Sequence, residues 1–401
     1  IVLMDQRVAS FPDMNEYIPS ETALPTSMKQ PTDGGHASFL ETSVGLALAT
    51  LHLILHMRRS PEGQSPPPSV AWNPCIALVQ DALKVALDEQ VDEDDCEVLY
   101  GRAGLLYAMM LLRSEIDNPG TALEHPVVEA ARSLVDDASM AALLENIVRR
   151  GEMGARNYAE TLSGDDNKHA PPLMWSWHGK RYIGGAHGVV GILHMMSSVP
   201  DHLLKQYWAI VLDTLTWLVK IQQPSGNWTS RAGRHMHDGE DEDERHQLVQ
   251  WCHGAPGVLL LMSKIIRRFS APSDHIPADL LKALYASISR GGELVYSRGF
   301  LRKGVGLCHG VAGSVYALLS VSEVLDTDDE KLWLKRAVHL AQLATQYSEL
   351  ESSGEMSVPD FPYSLYGGVA GMCCAWADVL RVLNGEEAIG FPAYDDLRRF
   401  Q

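Results

Sequence analysis

Apolar residues recur at helical spacing along most of the chain, and short polar stretches separate the apolar segments. The segment 43–57, SVGLALATLHLILHM, is largely apolar, is interrupted by histidines, and predicts a buried helix. The same helical spacing predicts further helices over 203–222 and 329–348. Regular alternation of apolar and polar residues, the mark of a half-buried strand, is scarce. The pattern therefore predicts an all-α protein.

An internal repeat accompanies these helices. A Gly-x-x-Gly step stands just before an apolar helix five times in the sequence. The glycine pairs are Gly101 and Gly104, Gly188 and Gly191, Gly254 and Gly257, Gly310 and Gly313, and Gly368 and Gly371. Gly45 matches the second glycine of a degenerate sixth copy, in which the first glycine is absent. A unit of about 60 residues is long enough for two helices and their connections.

Helix pairs repeated at this spacing favour a closed ring over the shorter helical solenoid repeats. In such a ring, the glycine-opened helices form an inner barrel of six or seven members, and the second helices wrap around it. The glycines then lie together at one end of the ring, which we call the mouth. Glycine at a helix start permits the close backbone approach that is expected there. Helix N-termini that converge there create a positive potential, which favours thiolates and developing negative charge.

The chain divides where the helical pattern starts. Residues 1–37 carry scattered Pro, Asp and Gly and are predicted to form an irregular N-terminal arm. Residues 38–401 are predicted to form a single domain. Within it, the acidic stretch 238–245 is interpreted as a solvated loop, with a position on the rim of the mouth as the alternative.

Composition and charge exclude several classes of function. The 401 residues carry a formal net charge of −18 and no dense Lys/Arg cluster, which argues against a nucleic-acid partner. No apolar stretch reaches the roughly 18 residues of a membrane span, and the first residues lack the pattern of a signal peptide. The six cysteines are too few for a disulfide framework, so a cytoplasmic location is expected. In that setting, their pattern favours metal or catalytic chemistry.

Two copies of the repeat contain a Cys-His-Gly sequence, in WCHGAPG and GLCHGVAG. Cys252 and Cys308 therefore occupy equivalent positions near the mouth, and a histidine, His253 or His309, follows each of them. Two thiolates with one or two imidazoles are a typical zinc ligand set. The spacing leaves three interpretations open: a catalytic zinc with three protein ligands, a closed structural Cys2His2 site, and reduced core cysteines without a metal.

A third copy, YIGGAHGVVGIL, keeps the histidine but has Ala186 in place of the cysteine. His187 is therefore expected at the same level of the ring without a second soft ligand. This suits a general acid or base beside a metal, and a capping or hydrogen-bonded histidine is the alternative. In the first and last of the five copies, Tyr100 and Tyr366 occupy the equivalent positions. Together with Arg102, these tyrosines are predicted either to line the mouth or to pack.

The ordered set WCHGAPG, GLCHGVAG, GGAHGVVGI, YGRAGLLYA and PYSLYGGVAG resembles the lanthionine synthetase C-like family over about residues 38–401. That family includes bacterial lanthipeptide cyclases and eukaryotic LanC-like proteins. The histidine after the cysteine in WCHG resembles the eukaryotic branch. The resemblance implies an (α/α)7 toroid, a double barrel of inner and outer helices with one central zinc per chain.

By position in these motifs, the resemblance implies that Cys252, Cys308 and His309 bind the zinc, while water or a substrate thiol takes the fourth position. His253 falls at a position that is not a ligand and is assigned to substrate binding. His187 matches the active-site histidine of the family. Lys303, in LRKGVGLCHG, matches a residue linked to glutathione binding, and a cationic side chain there suits the carboxylates of the tripeptide.

The reaction that the resemblance implies adds a thiol to the β-carbon of a dehydroalanine or dehydrobutyrine residue and forms a thioether. Bacterial members use a cysteine of the same peptide, whereas eukaryotic members are associated with glutathione and dehydrated residues in damaged proteins. The expected partners are therefore glutathione or a peptide thiol, and a peptide or protein that contains a dehydroamino acid. His187 is the expected donor of the proton that Cα must receive.

Two other interpretations fit parts of the sequence. A non-catalytic scaffold of the same fold would bind zinc and glutathione without turnover. A subunit like the β-subunit of protein prenyltransferases would also combine zinc with a helical toroid. It would need an aspartate ligand and an aromatic-rich cavity, but no Asp stands beside Cys252 or Cys308, and aromatic residues make up only 7% of the chain.

Overall fold

The computed structural model describes residues 28–57, 72–88, 93–118, 126–162, 170–233, 247–269 and 276–397. Residues 1–27, which are most of the predicted N-terminal arm, and the acidic stretch 238–245 lie outside the described residues. Over the described ranges the chain forms helices and no strand, with only isolated bridges, so the all-α prediction is confirmed. None of the helices in these ranges is both long enough and apolar enough to cross a bilayer.

The α-helices of the described residues are numbered in chain order. They are α1 (Ser43–Met57), α2 (Asn73–Ala86), α3 (Arg102–Ile116), α4 (Pro126–Arg132), α5 (Asp137–Thr161), α6 (Val189–Met196), α7 (Asp201–Leu204), α8 (Trp208–Lys220), α9 (Ala255–Phe269), α10 (Ala278–Arg298), α11 (Val311–Leu325), α12 (Leu332–Leu343), α13 (Tyr347–Ser353) and α14 (Val369–Leu383). Short 3-10 helices occupy Gly34–His36, Lys205–Tyr207 and Ala344–Gln346.

The helices that follow the glycine steps form a consecutive inner layer. Helix α1 packs on α3, α3 on α6, α6 on α9, α9 on α11, and α11 on α14. Other helices wrap around this layer, since α10 contacts both α9 and α11, and α12 contacts both α11 and α14. Burial follows the same division: α9 is buried over nearly its whole surface, whereas α5 buries one face. This arrangement agrees with the predicted all-α toroid; six inner helices lie in the part of the chain that the structure describes, and the sevenfold count implied by the resemblance stays a prediction.

The second glycine of each repeat has the same packing role. In every copy, an added Cβ would overlap the carbonyl oxygen of the residue six positions earlier, because the preceding loop folds back over the first turn of the inner helix. The pairs are Gly45 with Phe39, Gly104 with Val98, Gly191 with Gly185, Gly257 with Trp251, Gly313 with Leu307, and Gly371 with Leu365. Gly45 makes the same close backbone contact as the second glycines of the other copies, so the degenerate sixth copy is a structural repeat as well.

Backbone hydrogen bonds join the loops of neighbouring repeats at the mouth. The amide of Val98 donates to the carbonyl of Ala186 over 3.1 Å, and the amide of Gly185 donates to that of Trp251 over 3.2 Å. A further bond joins the two loops that carry the Cys-His-Gly sequences, and another joins the second of these loops to the loop of the last repeat. Equivalent positions of successive repeats are therefore neighbours in space.

The C-terminal segment 389–397 packs against the inner layer behind the mouth. The rings of Phe391 and Tyr394 lie around Trp251, with centroids 5.3 and 5.1 Å from the Trp251 ring. All three side chains are buried. The segment thereby supports the residue that directly precedes Cys252.

A buried charged cluster anchors the same segment. One carboxylate oxygen of Asp395 lies 3.2 Å from Nε2 of His194 and 3.3 Å from Nζ of Lys264. Its other oxygen lies 3.1 Å from the guanidinium of Arg267. Burial, and after it the charge of Lys264, lowers the pKa of His194 to about 4, and burial lowers the pKa of Lys264 to about 8. His194 is therefore neutral in the folded protein at pH 7.

We expect the free energy of unfolding to fall as the pH drops from about 6.5 to about 4. In the unfolded chain His194 takes up a proton near its ordinary pKa of 6.5, whereas in the folded protein it does so only near pH 4. Between these values the unfolded chain binds more protons, so a fall in pH favours unfolding. The whole difference in pKa corresponds to roughly 3 kcal/mol. Chemical denaturation at stepped pH measures the slope, and His194→Gln is expected to flatten it. An identical slope in the variant and the parent protein would contradict the prediction.

Candidate metal centre and active site

Cys252, Cys308 and His309 converge at the mouth although they belong to two repeats. Cys252 precedes α9, while Cys308 and His309 precede α11. The amide of Cys252 donates to the carbonyl of Cys308 over 3.2 Å, and the amide of Cys308 donates to that of Tyr366 over 2.9 Å. This pairing of the loops leaves two sulfur atoms and one ring nitrogen within 4.8 Å of one another.

The chemistry of this donor set fits zinc. A tetrahedral ion with bonds of about 2.0–2.3 Å needs ligand atoms about 3.5–4 Å apart, which is inside the observed limit of 4.8 Å. Two thiols and one imidazole also match the sulfur and nitrogen ligands that zinc prefers. Within the described ranges, no other set of three or more His, Cys, Asp or Glu side chains brings its ligand atoms so close. A Cys/His group able to hold a metal therefore stands at the predicted positions.

The two thiols of this group influence each other's ionisation. Hydrogen bonding with Cys308 lowers the pKa of Cys252 well below its ordinary value, with help from His309 and against the effect of burial. The same Cys252–Cys308 hydrogen bond, together with burial, raises the pKa of Cys308. The two thiols therefore ionise as a coupled pair, in which the protonated partner can donate a hydrogen bond to the thiolate.

His187 lies against a buried carboxylate. Its Nδ1 is 2.8 Å from Oε2 of Glu97, whose side chain is only 1% exposed. The same carboxylate accepts hydrogen bonds from the backbone amides of Leu99 and Tyr100, which hold it in place. Because an ionised carboxylate only accepts, the Nδ1 of His187 carries a hydrogen, and Nε2 is left to bind or release a proton. The pair is thus arranged for proton transfer.

An aromatic stack fixes the plane of this imidazole. The ring of Trp177 lies 3.8 Å from that of His187 with an interplanar angle of 5°. Tyr100 stacks on Trp177 in turn, at a centroid distance of 6.1 Å. Burial, followed by the charges of Glu41 and Glu97, raises the pKa of Tyr100. Tyr100 is therefore a neutral phenol at the end of the stack.

His253 lies between the metal group and His187 in this respect: it follows a cysteine of the metal group in sequence, and its ring is near that of His187. It follows Cys252 directly, and its ring lies 6.5 Å from that of His187 and 5.4 Å from that of Tyr182. Its Nδ1 is buried and has no hydrogen-bond partner among the described residues. Burial lowers the pKa of His253, the charges of His187 and Lys303 add to this shift, and Cys252 opposes it. The residue that follows Cys252 in the chain is therefore a neutral imidazole whose Nδ1 has no hydrogen-bond partner among the described residues.

Lys303 is exposed on the loop ahead of α11 and reaches back toward Cys252. Its Nζ lies 3.4 Å from Oε1 of Gln250, and Nε2 of Gln250 lies 3.1 Å from Sγ of Cys252. One amide side chain therefore separates the lysine from the sulfur atom.

Tyr366 and Arg102 are buried or half-buried, and backbone carbonyls accept hydrogen bonds from both side chains. The hydroxyl of Tyr366 donates to the carbonyl of Pro392 over 2.9 Å, and burial raises its pKa well above the ordinary value. Arg102 is 3% exposed and donates to the carbonyls of Ala86 and Asp95 over 2.8 and 3.0 Å. The hydroxyl of Tyr366 and the guanidinium of Arg102 thus both donate hydrogen bonds to backbone carbonyls of neighbouring segments.

Three side chains of the site were missed by the sequence analysis, namely Glu97, Trp177 and Gln250. A signal for two of them exists in the repeat, since Glu97 and Gln250 both stand four residues before the first glycine of a step. Ser364 has the equivalent position in the last copy, and its hydroxyl accepts a hydrogen bond from a backbone amide of the same loop. A polar residue at this position therefore indicates a side chain that hydrogen-bonds to other atoms of the same loop. Trp177 lies outside the repeated unit, so repetition gives no signal for it.

Comparison with known proteins settles the family. A family model described as Lanthionine synthetase C-like protein matches residues 74–394. The chain belongs to this family. The match includes all five clear glycine steps and the Phe391–Tyr394 segment that packs on Trp251.

Two relatives of this LanC-like chain are eukaryotic, as the resemblance implied. Glutathione S-transferase LANCL1 from Danio rerio is 27% identical over 302 residues, which are 75% of this chain and 62% of the relative. LanC-like protein GCL1 from Arabidopsis thaliana is 28% identical over 311 residues, which are 75% of this chain and 57% of the relative. The chain therefore spans less than two thirds of the length of these relatives.

Proposed function

We propose that this LanC-like protein is a zinc-dependent enzyme that adds a thiol to dehydroalanine or dehydrobutyrine residues of a peptide or protein. Glutathione is the leading candidate for the thiol. The observation that carries the proposal is the metal-binding group of Cys252, Cys308 and His309, together with the His187–Glu97 pair, whose imidazole lies 6.5 Å from the ring of His253, the residue that follows Cys252. Similarity to a protein named glutathione S-transferase supports the choice of thiol.

Cys252, Cys308 and His309 are the residues that would hold the zinc. Zinc bound there would lower the pKa of a substrate thiol, so that a thiolate nucleophile is present near neutral pH. Three protein ligands leave one position of a tetrahedral ion open, as catalytic sites require.

His187 is proposed to supply the proton. Addition of a thiol at the β-carbon places negative charge on the carbonyl oxygen of the acceptor, and Cα must then be protonated. Glu97 engages Nδ1 and Trp177 holds the ring plane, so Nε2 of His187 is the atom that delivers the proton.

The remaining side chains of the site are proposed to bind substrate. Lys303 is an exposed cation that would pair with a carboxylate of the thiol substrate. His253 would offer its unpartnered Nδ1 to the acceptor, close to where the thiol reacts. Tyr100 would contact the acceptor from the end of the aromatic stack.

We place this chemistry in one toroid domain, residues 38–401, and in the cytoplasm. The consecutive packing of inner helices from α1 to α14 supports a single domain. Cys252 and Cys308 must stay reduced to bind a metal, which a reducing compartment secures.

Zinc-loaded protein is expected to add glutathione to a synthetic dehydroalanine peptide. Mass spectrometry of the peptide should show a mass increase of one glutathione, because addition is a one-to-one reaction without a leaving group. Chelator-treated protein should give only the slow uncatalysed background, and zinc should restore the rate. Absence of adduct above background with several peptides and several thiols would overturn the proposed function.

A further inference from the structure

We propose that Gln250 is a positioning residue that fixes the sulfur of Cys252 for metal binding and couples it to Lys303. This inference rests on the proposed function, because it concerns a ligand of the proposed zinc. The side chain of Gln250 lies between the two residues, with Nε2 3.1 Å from the Cys252 sulfur and Oε1 3.4 Å from the Lys303 nitrogen.

The backbone around Gln250 is held in a tight reciprocal turn. The amide of Gln250 donates to the carbonyl of His253 over 3.0 Å, and the amide of His253 donates back over 3.1 Å. Gln250 is 5% exposed and Cys252 is 7% exposed, so water has little access to the contact between them. A buried amide that meets a buried sulfur in a fixed turn restricts where that sulfur can point.

Hydrogen-bond chemistry determines which end of the amide faces each partner. The ammonium of Lys303 can only donate, so the carbonyl oxygen of Gln250 faces it. The NH2 group is then directed at Cys252, whose thiolate can only accept. Lys303 therefore sets the orientation in which Gln250 serves the sulfur, and a carboxylate that draws Lys303 away would release that constraint.

Bonds of this kind matter because outer partners orient metal ligands and tune their charge. An N–H donor to a thiolate withdraws part of its negative charge and keeps its lone pairs aimed at the metal. Loss of such a partner typically costs about 10–100-fold in metal affinity. Gln250 is assigned this role for Cys252, and Lys303 acts on the metal group through Gln250.

The test uses cobalt(II) as the metal probe in the 401-residue chain. Cobalt affinity is measured by competition with a chelator, and the sulfur-to-cobalt charge-transfer absorption reports on the Cys252 bond. Gln250→Met, which removes the amide, is expected to lower the affinity about 10–100-fold and to shift the absorption. Gln250→Glu, which presents an acceptor to the sulfur, should lower it at least as much. Lys303→Met should change both readouts in the same direction by a smaller factor.

Gln222→Met is the matched control, because that amide donates to the backbone carbonyls of Gly226 and Ser287 and touches no proposed ligand. Circular dichroism of each variant checks that it is folded. Affinity within twofold of wild type and an unchanged spectrum in a folded Gln250→Met protein would overturn the proposal. A change in Gln250→Met but none in Lys303→Met would overturn the coupling to Lys303. Wild-type protein that takes up no cobalt would overturn the proposed function itself.

Discussion

Cys308→Ala is expected to strip the metal from the protein and to abolish thiol addition. The substitution removes one of three ligand atoms that lie within 4.8 Å of one another. Loss of a direct ligand costs more than loss of an outer partner, so zinc affinity should fall by more than about 100-fold. Elemental analysis after gel filtration should find about one zinc per wild-type chain and almost none in the variant. Cys252→Ala should behave in the same way.

Cys373→Ala is the matched control for this experiment, because Cys373 is an exposed thiol in α14, outside the metal group. That variant should keep its zinc and its activity. Thermal unfolding gives a second readout, since zinc stabilises a folded protein that binds it and leaves a non-binding variant unchanged. A Cys308→Ala protein that still holds one tightly bound zinc per chain would refute the ligand assignment.

His187→Ala is expected to lower the rate of thiol addition by about 10²–10⁴-fold, which is the usual contribution of a positioned acid or base. Zinc content and glutathione affinity should stay at wild-type values, because His187 is not among the three proposed ligands. Initial rates with a dehydroalanine peptide, calorimetric titration with glutathione and metal analysis measure the three quantities. This combination separates an enzyme from a scaffold, which would bind glutathione and zinc without turnover in the parent protein as well.

The control for this substitution is His202→Ala, since His202 makes a comparable contact of 2.7 Å with Asp137 on the exposed surface. It should leave the rate unchanged. Glu97→Gln should give an intermediate loss, because the amide keeps an acceptor for the backbone but loses the charge-assisted hydrogen bond to Nδ1 of His187. Wild-type rates in folded His187→Ala would show that another group delivers the proton.

Repetition explains why so much of the site was predictable. Cys252 and Cys308 stand at equivalent positions of two copies, and neighbouring copies are joined loop to loop, so equivalence in sequence becomes proximity in space. His187 shares the same position in a third copy. The choice of His309 over His253 as a ligand is different, because spacing alone left it open and only the family resemblance made it. The structure places the ring nitrogen of His309, rather than that of His253, with the two sulfur atoms.

Side chains whose partners come from other parts of the chain were harder to predict. The buried Glu97 reaches His187 across ninety positions of sequence, and Trp177 stacks on the same histidine from a loop outside the repeat. Arg102 follows a glycine of the repeat, yet its guanidinium is taken up by the carbonyls of Ala86 and Asp95. No local pattern encodes these directions, because they depend on which loops pack around each side chain.

Patterns along the chain were enough to predict an all-α ring with two cysteines at equivalent positions of neighbouring repeats. Helical periodicity, the glycine steps and the paired Cys-His-Gly sequences are local or repetitive features, and each has a direct physical meaning along the chain. Which partners the side chains at the mouth contact became known only from the folded chain. It set the buried carboxylate against His187, the amide of Gln250 against the Cys252 sulfur, and the guanidinium of Arg102 against backbone carbonyls. Those outcomes depend on burial and on hydrogen-bond partners that meet only after the ring has assembled.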